Sequence, residues 1–216
     1  MQTKETMMSV KPFAITLDVG TSLANRTGSW RTLKPVYVDR LPPCNAKCPA
    51  GEQCQAWLFH AQSGNYENAW KQIIEDNPFP AVMGRVCYHT CQGACNRNGI
   101  DEPVGINAVE RFLGDYALEK GWQLPVPAAD TGKRILIVGA GPAGLSAAYQ
   151  LRRLGHAVHV VESAEAAGGM MRYGIPKYRL PREVLDQEIA RIAALGVEFE
   201  FGREAVSYTH LRAHET

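Results

Sequence analysis

Three thiols recur at every fourth residue in Cys87-Tyr-His-Thr-Cys91-Gln-Gly-Ala-Cys95. In a helical or turn-rich segment that spacing brings them to one side. Cuboidal iron–sulphur clusters take four thiolates, often three local and one remote with a proline beside it. Cys48, followed by Pro49, is the natural remote fourth. The expected ligand set for a [4Fe-4S] cluster is therefore Cys48, Cys87, Cys91 and Cys95. Zinc is the competing metal, but zinc sites pair short Cys-x-x-Cys or His-x-His units, which this run does not resemble. Cys54, in GEQCQAWL, reads as a small buried hydrophobe on a helix. His89, inside the cysteine loop, reads as a hydrogen-bond donor or an exposed side chain, and His60 as structural.

A second constellation is Gly139-Ala-Gly141-Pro142-Ala143-Gly144, which follows the apolar run Ile135-Leu-Ile-Val138 and opens a helical pattern. Each glycine has a task in dinucleotide binding: Gly139 permits the tight turn, Gly141 lets backbone approach a pyrophosphate, and Gly144 permits close helix–strand packing. The helix N-terminus adds N–H donors and a positive dipole. Glu162 ends the second strand about twenty residues on, where a carboxylate accepts ribose hydroxyls and repels a 2′-phosphate, which excludes NADP at this site. Gly168 and Gly169 offer another close backbone approach. Arg172, Lys177 and Arg179 read equally as charges near a flavin or as solvated loop charges.

The elements that must position these residues follow from periodicity. Trp57, Leu58 and Ala61, then Ala69, Trp70, Ile73 and Ile74, make a helical hairpin broken at Gly64-Asn65 and ended by Pro78 and Pro80. A third helix is expected from Gly105 to Lys120, stopped by Gly121. Residues 122–132 carry two prolines and small residues, as an interdomain linker does. From Lys133 a β-α-β unit runs through strands at Ile135–Val138 and Ala157–Val161. Val184, Leu185, Ile189, Ile192 and Leu195 mark a further helix, and Val197–Phe201 a strand. The expected organisation is an arm over 1–39, an all-α iron–sulphur domain over 40–121, the linker, and an incomplete α/β Rossmann-type domain over 133–205. The tail, Val206–Thr216, resembles a translated sequencing adapter. It is expected to be an artefact with no packing role.

A formal net charge of +1 argues against nucleic acid or an anionic membrane as partner. No apolar run near the N-terminus is long enough for a signal peptide or a membrane span. A cytoplasmic location is expected, where clustered cysteines are more often metal ligands than disulfides.

The segments GAGPAGL, GGMMRYGIP and YRLP resemble the glutamate synthase small-subunit family. CPAGE, DNPFPAVMGRVCYHTCQGACNR and VGINAVERFLGD are similar to the N-terminal domain which that family shares with dihydropyrimidine dehydrogenase. The resemblance implies FAD at Gly139, Gly141, Pro142, Ala143, Gly144, Glu162, Gly168, Gly169 and Arg172, with NAD(P)H bound by a C-terminal part missing from this chain. Family members typically carry two [4Fe-4S] clusters. Val36 and Asp39 stand where two ligands of the other cluster are expected, leaving only Cys44 and Glu110, so one cluster is predicted. Glu110 is expected to be a surface or salt-bridged helix residue. The implied parent is an NAD(P)H-dependent FAD/iron–sulphur oxidoreductase passing electrons to a redox partner or larger subunit. The alternative is a non-enzymatic, metal-stabilised interaction module with a nucleotide-sensing Rossmann domain.

Overall fold

The computed structural model describes residues 42–205. The expected N-terminal arm, with Val36 and Asp39, and the tail over 206–216 lie outside the described residues.

The helical hairpin forms as α2 (Cys54–Gln62) and α3 (Tyr66–Ile73). Before it lies the short α1 (Pro43–Lys47). Pro80, expected to end a helix, instead begins one: α4 (Pro80–Val86) carries proline in its first turn, where the missing N–H would have no intrahelical partner. The cysteine loop folds as α5 (Thr90–Gly93) and a 3₁₀ turn over Asn96–Gly99. The expected third helix is α6 (Ile106–Glu119), followed by Gly121 at φ 67° in the left-handed region. α4 and α6 pack backbone to backbone. A Cβ at Gly84 would run into Arg111, and one at Gly114 into Pro80 and Ala81. Arg85 adds a two-pronged ion pair with Asp115 of α6, at 2.6 and 3.0 Å.

After residue 122 come β1 (Arg134–Val138), α7 (Pro142–Arg153), β2 (Ala157–Glu162), α8 (Met170–Tyr173), α9 (Arg182–Ala194) and β3 (Glu198–Phe201). Among the described residues the sheet is parallel, in the order β1-β2-β3, with Arg134 opposite Ala157 and His159 opposite Glu198. This is the opening of a Rossmann-type sheet, in which each crossover helix packs back on its strands. No helix among the described residues is long and apolar enough to cross a membrane.

The helical and α/β segments share one continuous core. Trp70, Ile74, Phe79 and Val82 pack in the same cluster as Leu145, Tyr149, Val160 and Leu185. The Tyr149 hydroxyl donates to the Ile74 carbonyl at 2.7 Å. The linker is laid against α7 rather than strung free: Leu124 is buried, Ala128 N–H donates to Arg153 O, and Thr131 N–H to Gly155 O. A smaller core of Trp57, Ala69, Ile73, Ile106 and Leu113 lies under the cysteines and includes Cys54 and Cys91.

Candidate functional site

A cavity of about 210 Å³ opens beside the cysteine loop, walled by Cys48, Cys54, Cys87 and Cys91 and closed on another side by Pro142 and Ser146 of α7. Three of the four expected ligands thus face one space. Cys95 does not line it. Its thiol faces the backbone N–H groups of Val104, Arg97 and Asn98, which lower its pKa. Cys54 was expected to be a small buried hydrophobe. It is buried, at 2% exposure, yet its thiol stands on the cavity wall.

Local geometry explains how these thiols meet. Cys48 ends α1, and Gly51 at φ 77° turns the chain so that α2 starts six residues later with Cys54 facing back. Cys87 is the C-cap of α4, and Cys91 lies in the next short helix. His89 between them adopts φ 57°, unusual for a residue with a side chain. Its N–H points at the Cys87 sulphur, 3.4 Å away, and its Nε2 is buried without a hydrogen-bond partner among the described residues.

The thiols differ in electrostatics. A hydrogen bond from Cys54 holds the Cys48 pKa down to about 6 against the effect of burial, with help from the backbone N–H groups of Glu52, Ala50 and Gly51. The same interaction, with burial, raises Cys54. Burial pushes Cys91 up to about 11 and also raises Cys87.

Glu110 corrects the sequence reading. It is 6% exposed, forms no ion pair among the described residues, and lines the cavity. Asn77 donates to Glu52 at 2.9 Å and to Glu110 at 3.0 Å, tying two buried carboxyls through one amide. Burial and mutual repulsion raise Glu110 to about 9, and burial with the nearby Cys48 raises Glu52 to about 7. Sequence reasoning missed this pair because helix periodicity places Glu110 on α6 but cannot show that its neighbour there is another acid.

The glycine loop lies beside the same cavity. Gly139 sits at φ 97°, and a Cβ on Gly144 would collide with the Gly139 carbonyl. A Cβ on Gly141 would meet nothing nearer than the Gly169 Cα at 3.9 Å. The space in front of Gly141 is therefore open, while Gly144 is pressed against the chain. Gly168 N–H donates to Ala140 O at 2.7 Å, bringing the two glycine motifs together, and Pro142, Ala143 and Gly144 form the first turn of α7.

Glu162 lies at the end of β2 with its carboxylate on the loop, accepting from Ala140 N–H at 2.6 Å and Ala164 N–H at 2.9 Å. Partial burial pushes its pKa up, but these amides outweigh it and the net shift is downward. Arg172 is spent on the Ala167 carbonyl, at 2.5 Å, and on Asp186. Arg182, which no motif singled out, donates to the carbonyls of Met171, Ile175 and Leu180 and so shapes the loop after Gly169.

Two α/β residues grip α4, the helix that presents Cys87. Glu188 of α9, fully buried, accepts Ala81 N–H at 2.9 Å and Val82 N–H at 3.0 Å at the start of α4. Arg179 reaches the Arg85 and Val86 carbonyls at its end, both at 3.5 Å. The Arg179 cation at the C-terminus complements the helix dipole.

Comparisons with known proteins agree with this division. Residues 38–122 match the family model for dihydropyrimidine dehydrogenase domain II, 4Fe-4S cluster, and residues 137–189 match NAD(P)-binding Rossmann-like domain. The chain is 39% identical over 178 residues to the NADP(+)-dependent formate dehydrogenase subunit beta of Moorella thermoacetica, covering 72% of this chain and 25% of that protein. It is 39% identical over 176 residues to the NAD-dependent dihydropyrimidine dehydrogenase subunit PreT of Salmonella typhimurium, covering 79% of this chain and 43% of that one. With the glutamate synthase [NADPH] small chain of Mycobacterium tuberculosis the identity is 36% over 163 residues, 75% of this chain and 33% of the relative. The chain spans less than half the length of each of these relatives. The chain is thus similar to the dihydropyrimidine dehydrogenase domain II 4Fe-4S family over residues 38–122 and to NAD(P)-binding Rossmann-like domains over residues 137–189.

Proposed function

We propose that this chain is the electron-transfer part of an NAD(P)H-dependent FAD/iron–sulphur oxidoreductase, with one [4Fe-4S] cluster in the cysteine cavity and FAD at the glycine loop. The observation that carries the reading is adjacency: Pro142 and Ser146, in the first turns of the dinucleotide helix, line the same cavity as Cys48, Cys87 and Cys91. When bound, a flavin takes a hydride pair and releases single electrons, which a cluster relays.

The residues fit both groups. Cys48, Cys87 and Cys91, at the end of α1, the end of α4 and in α5, line one space whose walls include the apolar Phe79 and Ile106, an environment suited to a cluster shielded from water. The free N–H groups of α7 and the open face of Gly141 suit a pyrophosphate. Glu162 fixes the loop through Ala140, and with Oε1 already accepting from Ser163 and Ala164, its Oε2 keeps one lone pair for a ribose hydroxyl. A redox partner or larger subunit as acceptor is supported by relatives whose names call them subunits. A cytoplasmic setting is supported by six free cysteines, the chemistry of a reducing compartment.

The test is spectroscopic. The anaerobically reconstituted chain should show iron–sulphur absorption and, after titration with FAD, a bound-flavin spectrum at one per chain. A colourless protein holding zinc would replace this reading with a metal-stabilised interaction module.

A further inference from the structure

We propose that Glu188 of α9 is a positioning residue for the cluster: by holding the start of α4 it fixes Cys87, at the other end of that helix, relative to the dinucleotide helix α7. The inference rests on the cluster reading above and concerns what sets the place of one ligand.

The start of α4 has no acceptors of its own. Its first residue, Pro80, has no N–H, and the Phe79 N–H just before it donates to the Asn77 side chain at 2.9 Å. The first intrahelical bond runs from Met83 N–H to Phe79 O, at 2.8 Å. The Ala81 and Val82 amides are therefore left over, as the first amides of any helix are, and both residues are fully buried. Glu188, itself fully buried, takes one on each carboxyl oxygen, at 2.9 and 3.0 Å. At the other end of the helix Cys87 N–H donates to Met83 O at 3.0 Å, and Cys87 lines the cavity. A displacement at Ala81 is thus carried along a short helix to a ligand. The carboxyl stands on α9, whose Leu185 and Ile192 share a core with Leu145 and Tyr149 of α7. One turn along α9, Arg191 lies over the Trp70 ring of α3, 5.3 Å from its centre, and fastens the same helix to the helical segment a second time. Arg179, at the Cys87 end of α4, is exposed and its contacts are long, at 3.5 Å. Glu188 is accordingly the buried contact that ties the helix of a cluster ligand to the dinucleotide scaffold.

The experiment compares wild type, Glu188→Gln and Tyr149→Phe, each reconstituted anaerobically with iron and sulphide. Glu188→Gln replaces one acceptor oxygen by an NH2 group that meets a backbone N–H head-on. Tyr149→Phe removes another buried hydrogen bond between the two segments, to Ile74 O, that does not involve α4. Circular dichroism checks folding, and the readout is the cluster's midpoint potential from a redox titration followed by electron paramagnetic resonance. A Cys87 free to shift lets water approach the cluster, which favours the more negative, reduced state. Folded Glu188→Gln should therefore raise the reduction equilibrium constant at least about tenfold, about 59 mV for one electron, or lose the cluster altogether. Tyr149→Phe should lower the thermal midpoint and keep the wild-type potential. An unchanged or lowered potential in folded Glu188→Gln overturns the proposal, as does an equal rise in Tyr149→Phe, which would mean general loosening. Should Glu188→Gln not fold, Glu188→Asp, which keeps both oxygens but falls one methylene short, is judged by the same readout. Wild type that takes up no iron overturns the proposed function itself, and this role with it.

Discussion

At the residue scale, the three loop glycines separate into distinct physical jobs. Gly139 needs its positive φ and Gly144 has no room for a Cβ, so replacing either disturbs the protein itself. Gly141 has ordinary φ and open space before it, so a side chain there meets only what binds. We therefore expect Gly141→Val to fold with a wild-type thermal midpoint and to retain iron, while FAD affinity measured by fluorescence titration falls at least about 100-fold, the equivalent of about 2.7 kcal/mol. Undiminished FAD binding would remove the loop from the flavin site. These glycines were readable in the sequence because strand, turn and helix follow one another locally. The cysteine cavity was readable only in part. Spacing picked out Cys48, Cys87 and Cys91, but the turn at Gly51 that brings Cys54 back, and the amide nest that draws Cys95 away, depend on loop conformation with no periodic trace.

At the scale of elements, α4 is the piece that joins the two chemistries. It is seven residues long, too short to be stable by itself. It is held by close packing on α6 and by α/β side chains at both ends. Glu188→Ala would leave the Ala81 and Val82 amides buried without acceptors, and we expect a loss of about 2–4 kcal/mol in stability by chemical denaturation. A loss within about 0.5 kcal/mol would show that the grip is incidental. Burial pushes Glu188 up to about 8 although both amides pull it down. The unfolded carboxyl titrates near about 4.3. The folded protein therefore holds this proton more tightly, and the residue's contribution to stability declines as pH rises from about 4.3 to about 8. Thermal midpoints across that range should fall more steeply for wild type than for Glu188→Gln, and parallel slopes would contradict the shift. Helices α2, α3, α6 and α9 were readable from apolar periodicity, and α7 from the glycine run that opens it. α4 was not, because Pro78 and Pro80 read as a stop, and the acid that caps it comes from more than a hundred residues away.

At the scale of the whole molecule, the helical and α/β segments behave as one body. Residues 122–132 were expected to be an interdomain linker, and composition alone supported that. The buried Leu124, the Tyr149–Ile74 hydrogen bond and the core shared by Phe79, Val82, Leu145 and Leu185 join the two segments instead. Limited proteolysis should therefore leave 122–132 intact under native conditions, with a single thermal transition seen by tryptophan fluorescence and circular dichroism alike. Early release of a stable helical fragment would contradict this. The adjacency that the shared core enforces, cysteine cavity against dinucleotide helix, is the central claim, and it requires that one cluster occupy that cavity. The most direct test is the iron and acid-labile sulphide content of the anaerobically reconstituted chain. One [4Fe-4S] cluster predicts about four of each per chain, whereas stoichiometric zinc with no labile sulphide would contradict the account.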